Sequence, residues 1–228
     1  AYAGGSMTTS GLGAVGVGYN AYAATTTHGR GTAIGAYALQ SVNHTQDDYN
    51  VAVGYRAGYN GVTILKNTYV GSFSGYENLG QLNTFVGYYS GRYASSGSYN
   101  TFVGSEAGEG GTTSAPYSSG PNNTAIGYQA LKAFTTAEDN TTVGMQTGQL
   151  LTSGNSNTLL GNAAGRLMTT TSNTVLVGLG AGYAINSTDA NGTVAVGRFA
   201  LNALTSGANN LAIGYEALKV HTTGHSNL

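Results

Sequence analysis

Through most of the chain an aliphatic residue stands directly before a glycine, and the pair returns at a nearly fixed interval. The glycines are Gly18, Gly35, Gly54, Gly71, Gly87, Gly104, Gly127, Gly144, Gly161, Gly178, Gly197 and Gly214, at spacings of 17, 19, 17, 16, 17, 23, 17, 17, 17, 19 and 17. The preceding residues are Val17, Ile34, Val53, Val70, Val86, Val103, Ile126, Val143, Leu160, Val177, Val196 and Ile213. All but Leu160 are β-branched, which favours a strand over a helix. Three positions before each glycine stands Thr, Val or Leu, so one face of a short strand repeats with period 2. The position between them is often apolar as well, as at Tyr69, Phe85, Phe102, Leu159 and Leu176. A strand apolar on both faces is expected to be buried on both.

Other columns complete the unit. Asn lies four residues before the glycine in eight units, among them Asn100, Asn123, Asn140 and Asn157; identical Asn side chains stacked at strand spacing bond one another as a ladder. Three residues after the glycine the side chain is always small, which predicts that another backbone passes close by. The next position is Gly in seven units and Leu in four (Leu39, Leu131, Leu201, Leu218), where Gly permits a turn with positive φ and Leu reads as a second way round the corner. The rest of each unit consists of turn formers such as Ser95-Ser96-Gly97-Ser98. No apolar stripe of period 3.6 accompanies the repeat, so helical repeats are excluded.

The pattern therefore predicts an all-β fold, a repetitive parallel β-roll or β-solenoid of about twelve coils. It forms a single repeat domain over residues 1–228, anchored on Gly18 to Gly214, with 219–228 as a tail. At about 4.8 Å per coil the rod is roughly 55 Å long. Small aliphatic residues are expected to fill the coil, while the face bearing Phe85 and Phe102 meets neighbouring chains, most simply as a homotrimer. On that view an acid replacing Val103 would be buried unpaired and unfold its coils.

Composition agrees with a repeat rather than an ordinary globule. Of 228 residues 37 are Gly and 7% are charged, against about 25% charged in typical soluble domains. A formal net charge of −1 gives no attraction toward nucleic acid or an anionic membrane, so neither is expected as a partner. The absence of Cys removes disulfides, thiolate nucleophiles and Cys metal sites. No run of 18 apolar residues and no basic-then-apolar N-terminus occurs, so neither membrane insertion nor a signal peptide is expected; a chain beginning at Ala1 is expected to be a processed form or a piece of something longer.

The units Asn123-Thr124-Ala125-Ile126-Gly127-Tyr128-Gln129-Ala130-Leu131 and Asn210-Leu211-Ala212-Ile213-Gly214-Tyr215-Glu216-Ala217-Leu218 resemble the shaft repeats of phage tail fibres and tailspikes. They are similar also to the head repeats of YadA-like trimeric autotransporter adhesins. The longer interval, and the Tyr and Gln after the core, bring the chain closer to the tail-fibre group. The resemblance implies a left-handed roll closed as a homotrimer, an extracellular place on a virion tail fibre or a bacterial surface, and attachment to a host-surface glycan or protein.

Candidate chemistry is sparse. Tailspike-like hydrolysis of polysaccharide needs two carboxylates about 5–9.5 Å apart, and no two acids share a column on neighbouring coils; Glu106 and Glu109 share one loop. His28, His44, His221 and His225 lie in Thr- or Gly-rich turns without a His-x-His pair, so no metal is expected, and no cofactor motif is present. Strings such as Gly178-Leu179-Gly180 are repeat columns rather than a phosphate loop. No catalytic role is assigned, and the chain is expected not to be an enzyme.

Recognition is better placed on tyrosines off the repeat columns, Tyr49, Tyr59, Tyr93, Tyr99 and Tyr117, because a Tyr ring offers a flat apolar face with a hydroxyl. Extra residues in a stacked coil must loop outward. The largest excess, between Gly104 and Gly127, carries Pro116, Tyr117 and Pro121, and proline lowers the entropy lost on binding. A smaller excess holds Asp47, Asp48 and Tyr49, and another runs from Asn186 to Asn191. These loops, centred on Tyr117, are the expected contact surface.

Overall fold

The computed structural model describes residues 13–24, 30–43, 48–111 and 117–228. Among them are twelve three-residue strands: β1 (Val15–Val17), β2 (Thr32–Ile34), β3 (Val51–Val53), β4 (Thr68–Val70), β5 (Thr84–Val86), β6 (Thr101–Val103), β7 (Thr124–Ile126), β8 (Thr141–Val143), β9 (Thr158–Leu160), β10 (Val175–Val177), β11 (Val194–Val196) and β12 (Leu211–Ile213). They form one parallel sheet in sequence order, which is the β-solenoid the spacing predicts. The helical content described is a single 3-10 turn, Thr188–Ala190.

Three-residue strands alone would be weak, but the stack is bonded elsewhere on its perimeter too. The amides of Tyr37, Arg56 and Phe73 donate to the carbonyls of Tyr19, Ala36 and Tyr55, and those of Gly108 and Leu131 to Ala130 and Thr147. The Asn ladder forms as expected: the Asn67, Asn123, Asn140 and Asn157 side chains each donate to the amide oxygen of the Asn one coil earlier, at 2.9–3.3 Å. Those asparagines are buried, so the ladder supplies the partners that buried amides require.

The two strand faces are inverted relative to expectation. Tyr69, Phe85, Phe102, Leu159 and Leu176 lie wholly inside the coil, with Phe85 and Phe102 stacked at 5.0 Å. The β-branched column points outward, and Ile34, Val70 and Ile126 are 41%, 37% and 39% exposed. Volume explains the choice. Within one coil the inward strand residue faces the position four after the glycine, and the two trade size: Gly16 with Tyr22, Ala33 with Leu39, Ala125 with Leu131, Ala195 with Leu201, but Phe85 with Gly91 and Phe102 with Gly108. A Cβ on Gly108 would lie 2.4 Å from the Phe102 ring, so the pair fills one fixed space. Gly and Leu are thus not merely two ways of turning; both take positive φ (51° at Gly108, 50° at Leu131), and in most coils the choice follows the opposite wall, the exception being Gly58 opposite Ala52, whose space is taken by Leu39 and Tyr69 of the neighbouring coils.

The glycine before each corner has a separate cause. At Gly104 φ is +132°, and a Cβ would stand 2.6 Å from the Gly127 carbonyl oxygen one coil on. The small column is buried except at Ala217 in the last coil, and where it is Ser it bonds the next coil, Ser74 and Ser90 donating to the carbonyls of Phe85 and Phe102. Residues 219–228 are not a separate tail: Thr205 donates to the Thr222 carbonyl, Leu211 to Asn227, and Asn227 extends the Asn ladder to Asn210.

Candidate functional site

On either side of the six-residue excess, Gly111 and Ser118 are both bonded into the stack. Gly111 N–H donates to the Phe134 carbonyl at 2.7 Å, Ser118 N–H to Tyr93 at 3.0 Å, and the buried Ser118 hydroxyl to Phe134 at 2.6 Å. The register across it is undisturbed, Phe102 facing Ala125 and Val103 facing Ile126. Tyr117 stacks on Tyr93 at 5.8 Å with the rings within 10° of parallel.

At the foot of this insertion lies a depression of about 460 Å³ lined by Glu109, Gly110, Gly111, Lys132, Ala133, Gln149 and Leu150. Lys132 Nζ contacts Glu106 at 2.5 Å and Glu109 at 3.3 Å. Gln129 also donates to Glu106, at 2.9 Å, and from there amides run coil to coil: Gln146 and Gln149 donate to Gln129, and Arg166 to Gln149. The hydrogen bond from Lys132, joined by that from Gln129, holds the Glu106 carboxyl below its ordinary value against the opposing effect of burial. Two carboxylates on one ammonium are close enough for glycoside chemistry. Lys132 favours the ionised form of Glu106, so of the two roles that chemistry needs Glu106 suits the ionised one and not the proton donor.

Beside the insertion a ridge of rings runs along the earlier coils. Tyr19, Tyr37, Tyr55, Phe73 and Tyr89 meet edge to face at 5.2–6.0 Å from coil to coil, and Tyr59 stacks on Tyr76 at 5.1 Å. These residues follow the corner glycine by one, two or five positions, which brings them onto one face.

The expected contact residues fall in different places. Tyr117 belongs to the insertion and stacks on Tyr93, which shares the Arg92 guanidinium with Tyr89 of the ridge. Pro116 and Asp47 lie outside the described residues, as do His28 and His44. Pro121 is not in the loop: it has rejoined the coil, where its carbonyl accepts from Asp139 N–H and from the Asn123 side chain. Asp48 is fully buried; it accepts from the Tyr22 hydroxyl and the Asn50 amide, so it braces the coil interior and is not a surface contact. Tyr49 is about half exposed, with Arg30 donating to its hydroxyl at 3.3 Å, and Tyr99 is 62% exposed. The excess from Asn186 to Asn191 is taken up by the 3-10 turn, capped by Ser187. His225 Nδ1 accepts from Ala208 N–H, and His221 Nε2 sits 3.1 Å from Asn227. Among the described residues no three acids or histidines are grouped as metal ligands, and no helix is long and apolar enough to cross a membrane.

The amide run from Gln129 to Gln149, and Arg56 and Arg92 in the ridge, were not picked out from sequence. The signal lies in reading the second and fifth positions after the glycine as columns. Comparison with family models, with curated proteins and with solved structures finds nothing that matches this chain.

Proposed function

We propose that the chain is a stiff segment of an extracellular fibre, of the phage tail-fibre kind, in which three copies pack their outward strand faces around a common axis and the insertion at Tyr117 touches a host-surface glycan or protein. The observation that carries this reading is the outward column itself. Ile34, Val70 and Ile126 are exposed aliphatic residues on an unbroken line, and large contiguous apolar surface marks an interface. One such stripe per copy is satisfied by cyclic closure. Light scattering on the intact chain is expected to give three times the chain mass of 23.0 kDa; a stable 23.0 kDa species would overturn the reading.

The contact role is tested separately. Deleting residues 112–117 restores the common 17-residue spacing while retaining Gly111 and Ser118, whose backbones are tied to Phe134 and Tyr93. Assembly and melting temperature should then stay nearly unchanged while attachment to host cells is lost. Attachment at the original level would exclude the insertion as the contact.

A further inference from the structure

Among the described residues, two guanidinium groups in the ring ridge have no hydrogen-bond or ion-pair partner. Arg56 lies 5.2–6.0 Å from the ring centres of Tyr37, Tyr55, Tyr59 and Phe73, and Arg92 lies 4.0–5.5 Å from Phe73, Tyr89 and Tyr93. No carboxylate pairs with either, and the Nε of each is buried without an acceptor. Lys132 and Lys219 are ion-paired and Arg166 bonds Gln149 and Tyr183, while Arg198 lies against Phe199 and Tyr215 as Arg56 and Arg92 lie against their rings, but away from the ridge. Rings therefore hold the Arg56 and Arg92 planes in place and strip part of their water, while their terminal nitrogens, neither bonded nor buried, stay open to solvent.

We infer that this ridge binds an acidic glycan lying along the rod, its carboxylates on Arg56 and Arg92 and its sugar rings against Tyr55, Tyr59 and Tyr76. The inference rests on the adhesive-fibre reading and names the ligand class. A guanidinium matches a carboxylate with two parallel N–H···O bonds, and such charge-assisted bonds are stronger where water is excluded. The aromatic faces suit the C–H side of a pyranose, and the Tyr hydroxyls its hydroxyl groups. Arg56 and Arg92 stand on coils two apart and flank one ring, Phe73, at 6.0 and 5.5 Å from its centre, which fits carboxylates recurring along a polymer better than a single small acid. What separates a nucleic acid from an acidic glycan here is the shape of the planar guanidinium fork, which takes a carboxylate by two parallel N–H···O bonds, and the RNA arm of the titration tests that preference.

The chain has 17 Tyr and no Trp, so tyrosine fluorescence reports on the ridge directly. Full-length protein is titrated with polygalacturonate, with galacturonate monomer, with neutral dextran and with single-stranded RNA, by fluorescence and calorimetry, and its mass is measured in the same samples. Polygalacturonate should bind and change the emission, with dextran and RNA much weaker and the monomer weaker than the polymer. Arg56→Gln combined with Arg92→Gln should weaken binding about tenfold or more at unchanged mass, whereas Arg30→Gln should not. Equal binding of dextran, RNA binding as tight as polygalacturonate, retention by the double variant, or a change of mass in that variant would each overturn the inference. Because mass is read independently, a monomer that binds polygalacturonate removes the threefold fibre and leaves the ligand site, while a trimer that ignores it does the reverse.

Discussion

Phe102→Asp will unfold the middle of the rod, whereas Val103→Asp, one residue on, will leave the coils folded and, on the proposed threefold packing, separate the copies. Phe102 is wholly inside, stacked on Phe85 and packed edge to face on Phe134 at 5.4 Å. Removing a buried Phe costs about 3–5 kcal/mol, and the carboxylate adds the desolvation of an unpaired charge. Val103 belongs to the outward column and is only half-buried, so an acid there keeps its water in the single chain and is buried only when copies assemble. Circular dichroism melting and light scattering on both variants check the pair. If Val103→Asp unfolds the chain as Phe102→Asp does, the assignment of the two faces is wrong.

The second large effect is expected at Gly104. In Gly104→Ala the new Cβ meets the Gly127 carbonyl oxygen at 2.6 Å and must also accept φ +132°. Backbone held in such a region costs a side chain about 1–3 kcal/mol, and the clash forces neighbouring coils apart, so the sum should reach several kcal/mol. Gly214 supplies the control. Its φ is +131°, yet the first atom a Cβ would meet is Ala217 Cβ at 3.9 Å. Gly214→Ala therefore carries the backbone strain without the collision. Native-state hydrogen exchange, read coil by coil, should show lost protection around Val86 to Val143 in Gly104→Ala and only a local change in Gly214→Ala. Equal, local losses in both would mean that stacking does not require glycine.

Most of the architecture was legible because the repeat is strict. Each of the twelve glycines closes one of the twelve strands, and the Asn ladder follows from its column. The orientation of the strand was not legible from hydrophobicity, since Val103 and Phe102 are both apolar and alternation alone cannot rank them. It becomes readable only from paired volumes, such as Phe102 with Gly108 against Ala125 with Leu131, which is information held between positions rather than at them. Asp48 misled for a related reason: an acid in a turn-rich stretch reads as solvated, and its partner Tyr22 occupies the place that Gly or Leu fills elsewhere. In the insertion the excess length was visible, but Pro121 is in register with Ser98 and Glu138, as counting back from Asn123 would have revealed.

Every strand in the sheet pairs only with the strands next to it in sequence. A coil such as Gly144 to Gly161, 17 residues long, therefore meets the same surroundings above and below as its neighbours do. Duplicating or losing such a unit would lengthen or shorten the rod by about 4.8 Å without requiring compensating changes elsewhere. Rod length is thereby open to variation by gain or loss of whole coils, one at a time, while the ridge and the insertion keep their local structure and change only their distance from the ends.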